Sequence, residues 1–462
     1  MTAMMSPPTQ LMQRLSARIP QLSARSGWSA EQLRAHQQHQ LHSLLAHATA
    51  NSAYYRDVLG RHAADRPLSE LPVLSKATMM ERFDDLVTDP RLRRRDLEGH
   101  LAGPDAAQPY LGQFRVLTTS GTTGLRGIVV LREDEALDWI AVGLRGGRAM
   151  GINPQMRIAS IGAPGSLHVT RQLYGALESA GPRAPALSVL TPLPDLIAAL
   201  NELQPDALIG YASVAGMLAD EQLAGRLHIQ PTTGFYGAER LTPSIRDRIR
   251  TAWGFEPFSA YAATEAPTIA LGTLDTGLEI AEDVLLVEVV DENNAPVPPG
   301  VPGHKVLITN LINRTQPLIR YELSDAVTLA ADASPTGRPY RRIASIDGRS
   351  NDTLVLPGRD GGDVTIHPTG IATGFLRDPA VQQYQVIYDD TGLHARVVLF
   401  STVSKSTAAH TLEQLRRALT DAIGGLGAIV PPIDVVRVAA MERTSGIGAK
   451  YKFIESRVSS NA

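Results

Sequence analysis

Hydrophobic residues recur at helical spacing in the first part of the chain. Between residues 29 and 59 the apolar positions that repeat in this way are Leu33, Leu41, Leu44, Leu45 and Ala48. One buried face of an amphipathic helix has this period. Ser29 directly precedes the pattern and is a residue type that commonly caps helix starts. The pattern predicts a helix that begins at Ser29, and a second short helix after Ser75.

Further along the chain, short apolar runs alternate with helical stretches. Strands are predicted at 115–119, 128–131, 157–161, 207–209, 233–236, 258–261, 285–290 and 306–309. Helices are predicted at 135–150, 194–203 and 244–253. This alternation is typical of α/β proteins with mostly buried sheets. We therefore expect an α/β fold whose large N-terminal domain, of several subdomains, combines mixed sheets and helices.

A domain boundary is predicted near Asp347-Gly348-Arg349-Ser350. Beyond it the chain continues for about 110 residues, enough for a small domain with its own core. That stretch has predicted strands at 384–388, 395–400 and 431–438 and a helix at 411–423. The expected division is therefore a domain of residues 1–348 and a mobile α+β lid of residues 349–462. The polar, glycine-containing segment 442–452 is expected to be a mobile loop.

Composition narrows the functional classes. The chain has 462 residues, 43% of them hydrophobic, and a formal net charge of −3, so no nucleic-acid partner is indicated. It has no cysteine, which excludes disulfides, thiolate zinc sites and a cysteine nucleophile. There is no apolar run long enough for a membrane span. Met1–Pro8 shows no secretory pattern, so we expect a cytoplasmic protein with no membrane partner.

The stretch 117–124, Leu-Thr-Thr-Ser-Gly-Thr-Thr-Gly, is rich in hydroxyl groups and glycine and follows a predicted strand. Glycine allows tight bends that turn backbone N–H groups inward, and hydroxyl groups add hydrogen-bond donors, so the stretch can surround phosphate oxygens. It lacks the Gly-Lys-Ser/Thr of the P-loop, because Arg126 and Gly127 lead into another strand. It is not a Gly-x-Ser-x-Gly hydrolase turn either. The alternative is a polar hairpin turn with no ligand.

Thr119-Ser-Gly-Thr-Thr-Gly124 resembles the signature of the adenylate-forming enzymes, which include acyl-CoA synthetases, peptide-synthetase adenylation domains and luciferases. Five more segments resemble that superfamily's motifs in the same order: Tyr236-Gly-Ala-Glu239, Tyr261-Ala-Ala-Thr-Glu265, Ile319-Arg-Tyr-Glu-Leu-Ser-Asp325, Asp347-Gly-Arg349 and Arg443-Thr-Ser-Gly-Ile-Gly-Ala-Lys450. The N-terminal segments 41–59 and 71–76 resemble the phenylacetate–CoA ligase group. The resemblance covers almost the whole chain.

The resemblance implies roles for individual residues. The phosphate loop would comprise Thr119, Ser120, Gly121, Thr122, Thr123 and Gly124, and the adenine-contacting turn would comprise Gly237, Ala238 and Glu239. Tyr261 would stack on adenine, and Asp325 would bind the ribose hydroxyls. Thr264 would donate to the α-phosphate, and Glu265 would bind Mg²⁺, a cation that prefers carboxylate, water and phosphate oxygens. Arg349 would reach the ribose or a phosphate.

Each of these residues has an ordinary structural alternative. A single Asp325 is typical of a turn, and a Thr264-Glu265 pair is typical of a helix start. Arg349 could form a surface ion pair, since all but five of the 44 basic residues are arginine. The order and spacing of the motifs favour the functional interpretation.

Lys450 is the expected catalytic cation, which would neutralise charge at the α-phosphate and withdraw when the lid rotates about residues 348–351. Lys452 competes for this role, because Ile447-Gly448 makes the loop longer than is usual in the family. A solvated lysine is the structural alternative.

Two segments depart from the family pattern. Asn351 stands where relatives usually have the first acidic residue of the hinge, and the segment 354–368 contains Arg359-Asp-Gly-Gly-Asp363 near the expected thiol acceptor. Coenzyme A is the acceptor that the family implies. An amine, a carrier-protein thiol or another nucleophile remains open.

By position in the family, the acyl pocket would be lined by His168, Tyr211, Phe235, Tyr236 and Ala260. Aromatic and small side chains suit a flat aryl acid. His168 could contact a carboxylate, although an isolated histidine is more often a structural hydrogen-bonding residue.

The resemblance thus implies a ligase that activates an aryl or arylacetic acid with ATP and Mg²⁺, releases pyrophosphate and transfers the acyl group to coenzyme A. One alternative keeps adenylation but transfers the acyl group to an amine in a natural-product pathway. Another is a nucleotide-binding homologue without catalysis, and a kinase-type ATPase would yield ADP instead of AMP. The sequence leaves the oligomeric state open, with a homodimer as one alternative.

Overall fold

The computed structural model describes residues 7–60, 63, 66–119, 126–162, 169, 172–173, 187–349, 354–366, 371, 375, 378, 380–399, 403–441 and 454–457. Its helices are α1 (Pro7–Ala24), α2 (Ala30–Asn51), α3 (Ala53–Leu59), α4 (Lys76–Glu81), α5 (Phe83–Leu86), α6 (Arg94–Ala102), α7 (Glu133–Ala149), α8 (Leu193–Leu203), α9 (Ala212–Leu223), α10 (Pro243–Trp253) and α11 (Lys405–Gly425).

The strands of the described residues are β1 (Phe114–Thr118), β2 (Ile128–Arg132), β3 (Ile158–Gly162), β4 (Leu187–Ser188), β5 (Ala207–Tyr211), β6 (Thr233–Gly237), β7 (Phe258–Ala263), β8 (Ala266–Thr273), β9 (Gly277–Ile280), β10 (Leu285–Val290), β11 (Lys305–Asn310), β12 (Tyr321–Leu323), β13 (Asp325–Leu329), β14 (Arg342–Arg349), β15 (Leu354–Pro357), β16 (Asp363–Ile366), β17 (Val381–Asp389), β18 (Gly392–Leu399), β19 (Ile433–Arg437) and β20 (Ile454–Ser456).

Serine caps explain where the N-terminal helices begin. The Ser29 side chain accepts a hydrogen bond from the Gln32 backbone, and the Gln32 side chain accepts one from the Ser29 backbone, which closes a capping box at the start of α2. Ser52 caps α3 and Ser75 caps α4 in the simpler way. The predicted helix starts after Ser29 and Ser75 are confirmed.

The largest sheet has nine strands in the order β13-β14-β9-β8-β7-β6-β5-β3-β4. Neighbouring strands from β4 to β7 run parallel, and those from β7 to β13 run antiparallel. Helices alternate with the parallel strands, because parallel neighbours need a crossover connection. This mixed α/β sheet confirms the predicted fold class.

Smaller sheets complete the fold. β10, β11 and β12 form an antiparallel sheet, β1 pairs with β2, and β15 pairs with β16. A mixed four-stranded sheet has the order β19-β18-β17-β20. The sequence pattern does not predict β4, β8, β9, β12, β13, β14, β15, β16 or β20. Asp325 is the first residue of β13.

The described buried residues form three hydrophobic cores. The first joins the N-terminal helices, the β1–β2 hairpin and α7 to the antiparallel strands. The second lies between α8–α10 and the parallel strands, and the third draws only on residues 354–454. Among the described residues no helix is both long and apolar enough to cross a bilayer.

Candidate active site

Two motif segments meet through side chains at one end of the large sheet. The Tyr261 hydroxyl lies 2.9 Å from Oδ2 of Asp325, and the Tyr321 hydroxyl lies 2.7 Å from Oε1 of Glu265. Tyr261 is on β7 and Glu265 is in the turn that joins β7 to β8, while Tyr321 and Asp325 begin β12 and β13. The structure therefore brings the predicted metal ligand and the predicted ribose ligand together.

Glu265 is a buried carboxylate, with only 5% of its surface exposed. Its backbone carbonyl accepts a hydrogen bond from Nδ2 of the buried Asn310 at 2.9 Å. Burial, together with the nearby Glu265 carboxylate, raises the pKa of Tyr321, so this phenol stays protonated and donates. Among the described residues, no lysine, arginine or histidine lies within ion-pair distance of Glu265. A buried anion without a counter-charge favours an external cation.

Thr119 closes the end of the phosphate-loop hairpin. Its backbone N–H donates to the Gly127 carbonyl at 3.0 Å, and its hydroxyl accepts from the Gly127 N–H at 2.8 Å. Lys76 Nζ donates to the same hydroxyl at 3.3 Å. Lys76 is the last residue of the segment 71–76 that resembles the family pattern, and no role is predicted for it from the sequence. The available signal was its place among the chain's few lysines, directly after the helix cap Ser75.

The backbone connects this hairpin to Glu265. The Leu74 N–H donates to the Arg320 carbonyl, and the Glu322 N–H donates to the Leu74 carbonyl, both at 3.0 Å. Leu74 is thus paired with Tyr321, whose side chain reaches Glu265. The segment that carries Lys76 therefore runs beside the segment that orients the carboxylate.

The turn after β6 has an unusual backbone. Ala238 has a φ of 62°, in the left-handed region that costs a residue with a Cβ atom about 1 kcal/mol. A side chain at Gly237 would place its Cβ 3.2 Å from the Ala260 carbonyl oxygen, which explains a glycine there. Oε2 of Glu239 accepts from the Ser213 N–H at 3.2 Å, in the first turn of α9. The predicted adenine turn is therefore shaped by its backbone at Gly237 and Ala238, while the Glu239 carboxylate contacts the first turn of α9.

The predicted acyl-pocket residues do not share one surface. Phe235 and Tyr236 are neighbours in β6, and successive side chains of a strand point to opposite faces. Tyr236 is 2% exposed and, with Tyr211, belongs to the core under α8–α10. Phe235 is half-buried on the face that also carries Gly237, which contacts Ala260. The prediction that Phe235 and Tyr236 line one cavity is therefore corrected.

Several predicted residues lie outside the described part of the chain. They are Ser120, Gly121, Thr122, Thr123, Gly124, His168, Lys450 and Lys452. Thr264 is half-buried in the β7–β8 turn. The Arg349 backbone pairs with Asp325 between β14 and β13, and its side chain is outside the description. Among the described residues, no group of three or more histidine, aspartate or glutamate side chains could hold a metal by itself.

No family model matches the chain. It is 27% identical over 371 residues to a phenylacetate–coenzyme A ligase of Thermus thermophilus, across 77% of this chain and 78% of the relative. It is 26% identical over 441 residues to the phenylacetate–coenzyme A ligase of Escherichia coli, across 90% of this chain and 94% of the relative. The chain is a homologue of the phenylacetate–coenzyme A ligases.

The fold of the chain is also similar to that of a solved CoA ligase. A 2-hydroxyisobutyryl-CoA ligase in the postadenylation state, bound to its acyl-AMP, superposes with a TM-score of 0.71 at 21% identity. The superposition covers 94% of this chain and 91% of that ligase. The resemblance inferred from the ordered motifs is confirmed.

Proposed function

We propose that this chain activates a carboxylic acid with ATP and transfers the acyl group to coenzyme A. In the first step a carboxylate oxygen bonds to the α-phosphorus, the bond to the β-phosphate oxygen breaks, and pyrophosphate leaves. In the second step the thiol, losing its proton, bonds to the acyl carbon and AMP leaves. The observation that carries the proposal is the pair of contacts Tyr261–Asp325 and Tyr321–Glu265, which joins two of the superfamily motifs.

The described residues suit a bound nucleotide. Asp325 offers a carboxylate for the ribose hydroxyls, with Tyr261 beside it for the base. Thr119 and Lys76 offer a hydroxyl group and a cation at the base of the phosphate loop. The other loop residues and Lys450 are assigned to the phosphates by their motifs alone. Donors positioned before the reaction stabilise the charge that develops on phosphate oxygens.

Glu265 fits a magnesium ion that also binds phosphate. Mg²⁺ in nucleotide sites is held by one or two carboxylates, with phosphate oxygens and water as the other ligands. A single buried carboxylate with no cation within ion-pair distance in the described part of the chain matches that pattern. The bound cation would supply charge neutralisation at the phosphates.

We also propose that the second domain begins after residue 348 and moves as a lid. Its hydrophobic core is separate from the other two. Gln382 of this domain contacts the N-terminal body, where its Nε2 donates to Oδ2 of Asp220 at 2.8 Å. Such a contact can break and re-form at a small cost in free energy.

An aryl acid is the proposed substrate class. Support comes from the half-buried Phe235 beside the small residues Gly237 and Ala260 on one face of the sheet. A flat ring fits between an aromatic side chain and a surface of small residues.

A pyrophosphate-release screen tests the proposal. Aryl, arylacetic and aliphatic acids would each be supplied with Mg·ATP, alone and with coenzyme A, hydroxylamine or amines. We expect AMP and pyrophosphate with aryl acids, and turnover driven by coenzyme A. Turnover driven only by amines would show that the acceptor is an amine and not coenzyme A. Turnover with aliphatic acids alone would overturn the proposed aryl-acid substrate class. ADP production, or no acid-dependent pyrophosphate release at all, would overturn the proposed function.

A further inference from the structure

Two short segments of the site share one sequence pattern and are joined by two crossed hydrogen bonds. In Tyr261-Ala-Ala-Thr-Glu265 and in Tyr321-Glu-Leu-Ser-Asp325, a tyrosine precedes an acidic residue by four positions. Each tyrosine donates to the acid of the other segment, Tyr261 to Asp325 and Tyr321 to Glu265. The two hydrogen bonds join the same two segments, so the positions of the two carboxylates depend on each other.

Tyr321 is held rigidly where it donates. Its side chain is fully buried, and its backbone lies between Ile308 of β11 on one side and Leu74 on the other. Ordered backbone on both sides leaves the ring little freedom to follow a moving carboxylate. The hydroxyl position is therefore set by the sheet, and the carboxylate adjusts to it.

One carboxylate oxygen of Glu265, Oε1, accepts a hydrogen bond from Tyr321, and the other has no hydrogen-bond partner among the described residues. Its backbone is fixed by Asn310, and its Oε1 is fixed by Tyr321. No other hydrogen bond reaches this carboxylate from the residues that the structure describes. A neutral donor orients the carboxylate without neutralising it, so the full negative charge remains for a cation.

We infer that Tyr321 is a positioning residue, which orients the Glu265 carboxylate so that its free oxygen can bind the divalent cation of the nucleotide. This inference rests on the proposed function, because that function supplies the nucleotide and its metal. Tyr321 would act only through Glu265. Its role is to hold Glu265 in one orientation before the cation arrives, which lowers the ordering cost of binding.

The test compares Tyr321→Phe with Tyr55→Phe. Tyr55 is 2% exposed; its hydroxyl donates to the Pro317 carbonyl at 2.8 Å and accepts from the Ile319 N–H at 3.2 Å. The Tyr55→Phe variant therefore loses buried hydrogen bonds to the segment that leads into Tyr321, without removing a contact to Glu265. The first readout is the Mg²⁺ concentration that gives half-maximal pyrophosphate release. The second is Mn²⁺ binding in the presence of ATP without acid, measured by electron paramagnetic resonance.

For Tyr321→Phe we expect both midpoints to rise about tenfold, because a hydrogen bond to a charged group is lost. Saturating metal should restore most of kcat. Tyr55→Phe should lower thermal stability yet leave both midpoints unchanged. The inference is overturned if Tyr321→Phe keeps the wild-type metal midpoints, or if the two variants shift them equally.

Failure of the proposed function would look different. If no acid drives pyrophosphate release from the wild-type protein, the function fails, while Mn²⁺ binding with ATP still measures the effect of Tyr321→Phe on Glu265. If the wild type releases pyrophosphate and Tyr321→Phe binds metal normally, only the positioning role fails.

Discussion

The candidate active site and the contact between α9 and β17, beneath the proposed lid, each contain a buried or half-buried carboxylate, but the two carboxylates have different partners. Glu265 accepts from the neutral Tyr321, and no described cation lies within ion-pair distance. Asp220, on α9, lies 3.2 Å from Nη1 of Arg248 on α10 and also accepts from Gln382 on β17. One charge is left for an external cation, and the other is paired within the protein.

The difference separates a binding site from a structural contact. Burial raises the pKa of Asp220 to about 6 and lowers the pKa of Arg248 to about 10, although each partner opposes the shift in the other. Burying such a pair contributes little net stability, yet removing one partner leaves an unpaired charge. Asp220 and Arg248 therefore matter to the fold, while Glu265 is expected to matter to the chemistry.

Glu265→Gln should have the largest effect, on activity alone. The amide keeps an oxygen that can accept from Tyr321 but loses the charge that would bind the cation. We expect acid-dependent pyrophosphate release to fall at least about 100-fold, as for other lost transition-state contacts. Thermal stability should be unchanged or higher, because the variant removes a buried charge for which the described residues offer no counter-charge.

The matched control is Glu322→Gln, three residues before Asp325. Its carboxylate pairs with Lys305 Nζ at 2.8 Å and is partly exposed. This variant should keep activity within about twofold, since partly exposed ion pairs contribute little. Equal losses in Glu265→Gln and Glu322→Gln would contradict the distinction between the two acids.

Arg248→Met should have the opposite profile, with a loss of stability and little loss of chemistry. The variant leaves Asp220 half-buried without its cation, and we expect the free energy of unfolding to fall by about 2 kcal/mol. Chemical denaturation measures the stability, and pyrophosphate release at a permissive temperature measures the activity. A variant with wild-type stability and impaired adenylation would show that this pair serves the reaction.

The pH dependence of stability should reveal Asp220. Its folded-state pKa of about 6 lies above its ordinary 3.8, so the folded protein takes up a proton before the unfolded chain does. The contribution of Asp220 to stability should therefore become more favourable as the pH falls from about 6 toward 3.8. The contribution of Asp220 is isolated by comparing the free energy of unfolding of the wild type with that of Asp220→Asn at pH 7.5, 6 and 5. A constant difference between the two proteins would contradict the raised pKa.

Gln382→Ala should have the smallest effect and should concern only the lid. It removes one hydrogen bond to the Asp220 carboxylate, worth about 1 kcal/mol at a half-buried position. We expect a change of a few-fold in the ratio of acyl-adenylate formation to thioester formation, with Glu265-dependent metal binding unaltered. Separate single-turnover measurements of the two steps would detect it, and equal changes in both steps would argue against a lid contact.

Local patterns in the sequence predict much of this architecture. The serine caps, the parallel strands from β3 to β7 and the hydroxyl-rich loop depend on neighbours within a few residues, so their signals survive in the chain itself. The same holds for the spacing of the motifs that contain Glu265 and Asp325. The strands β8, β9, β13 and β14 were missed, because their partners across the sheet decide their structure.

Which side chains meet is decided by the tertiary structure. Tyr321 lies 56 positions from Glu265, and Tyr261 lies 64 positions from Asp325, so strand order and register bring them together. The same register turns Phe235 and Tyr236 to opposite faces, a separation that family position alone did not predict. The sequence by itself determined which acids and hydroxyl groups are present and in what order. Only the folded sheet decided which acid has no cation within ion-pair distance among the described residues, because burial and partnership are properties of the packed chain.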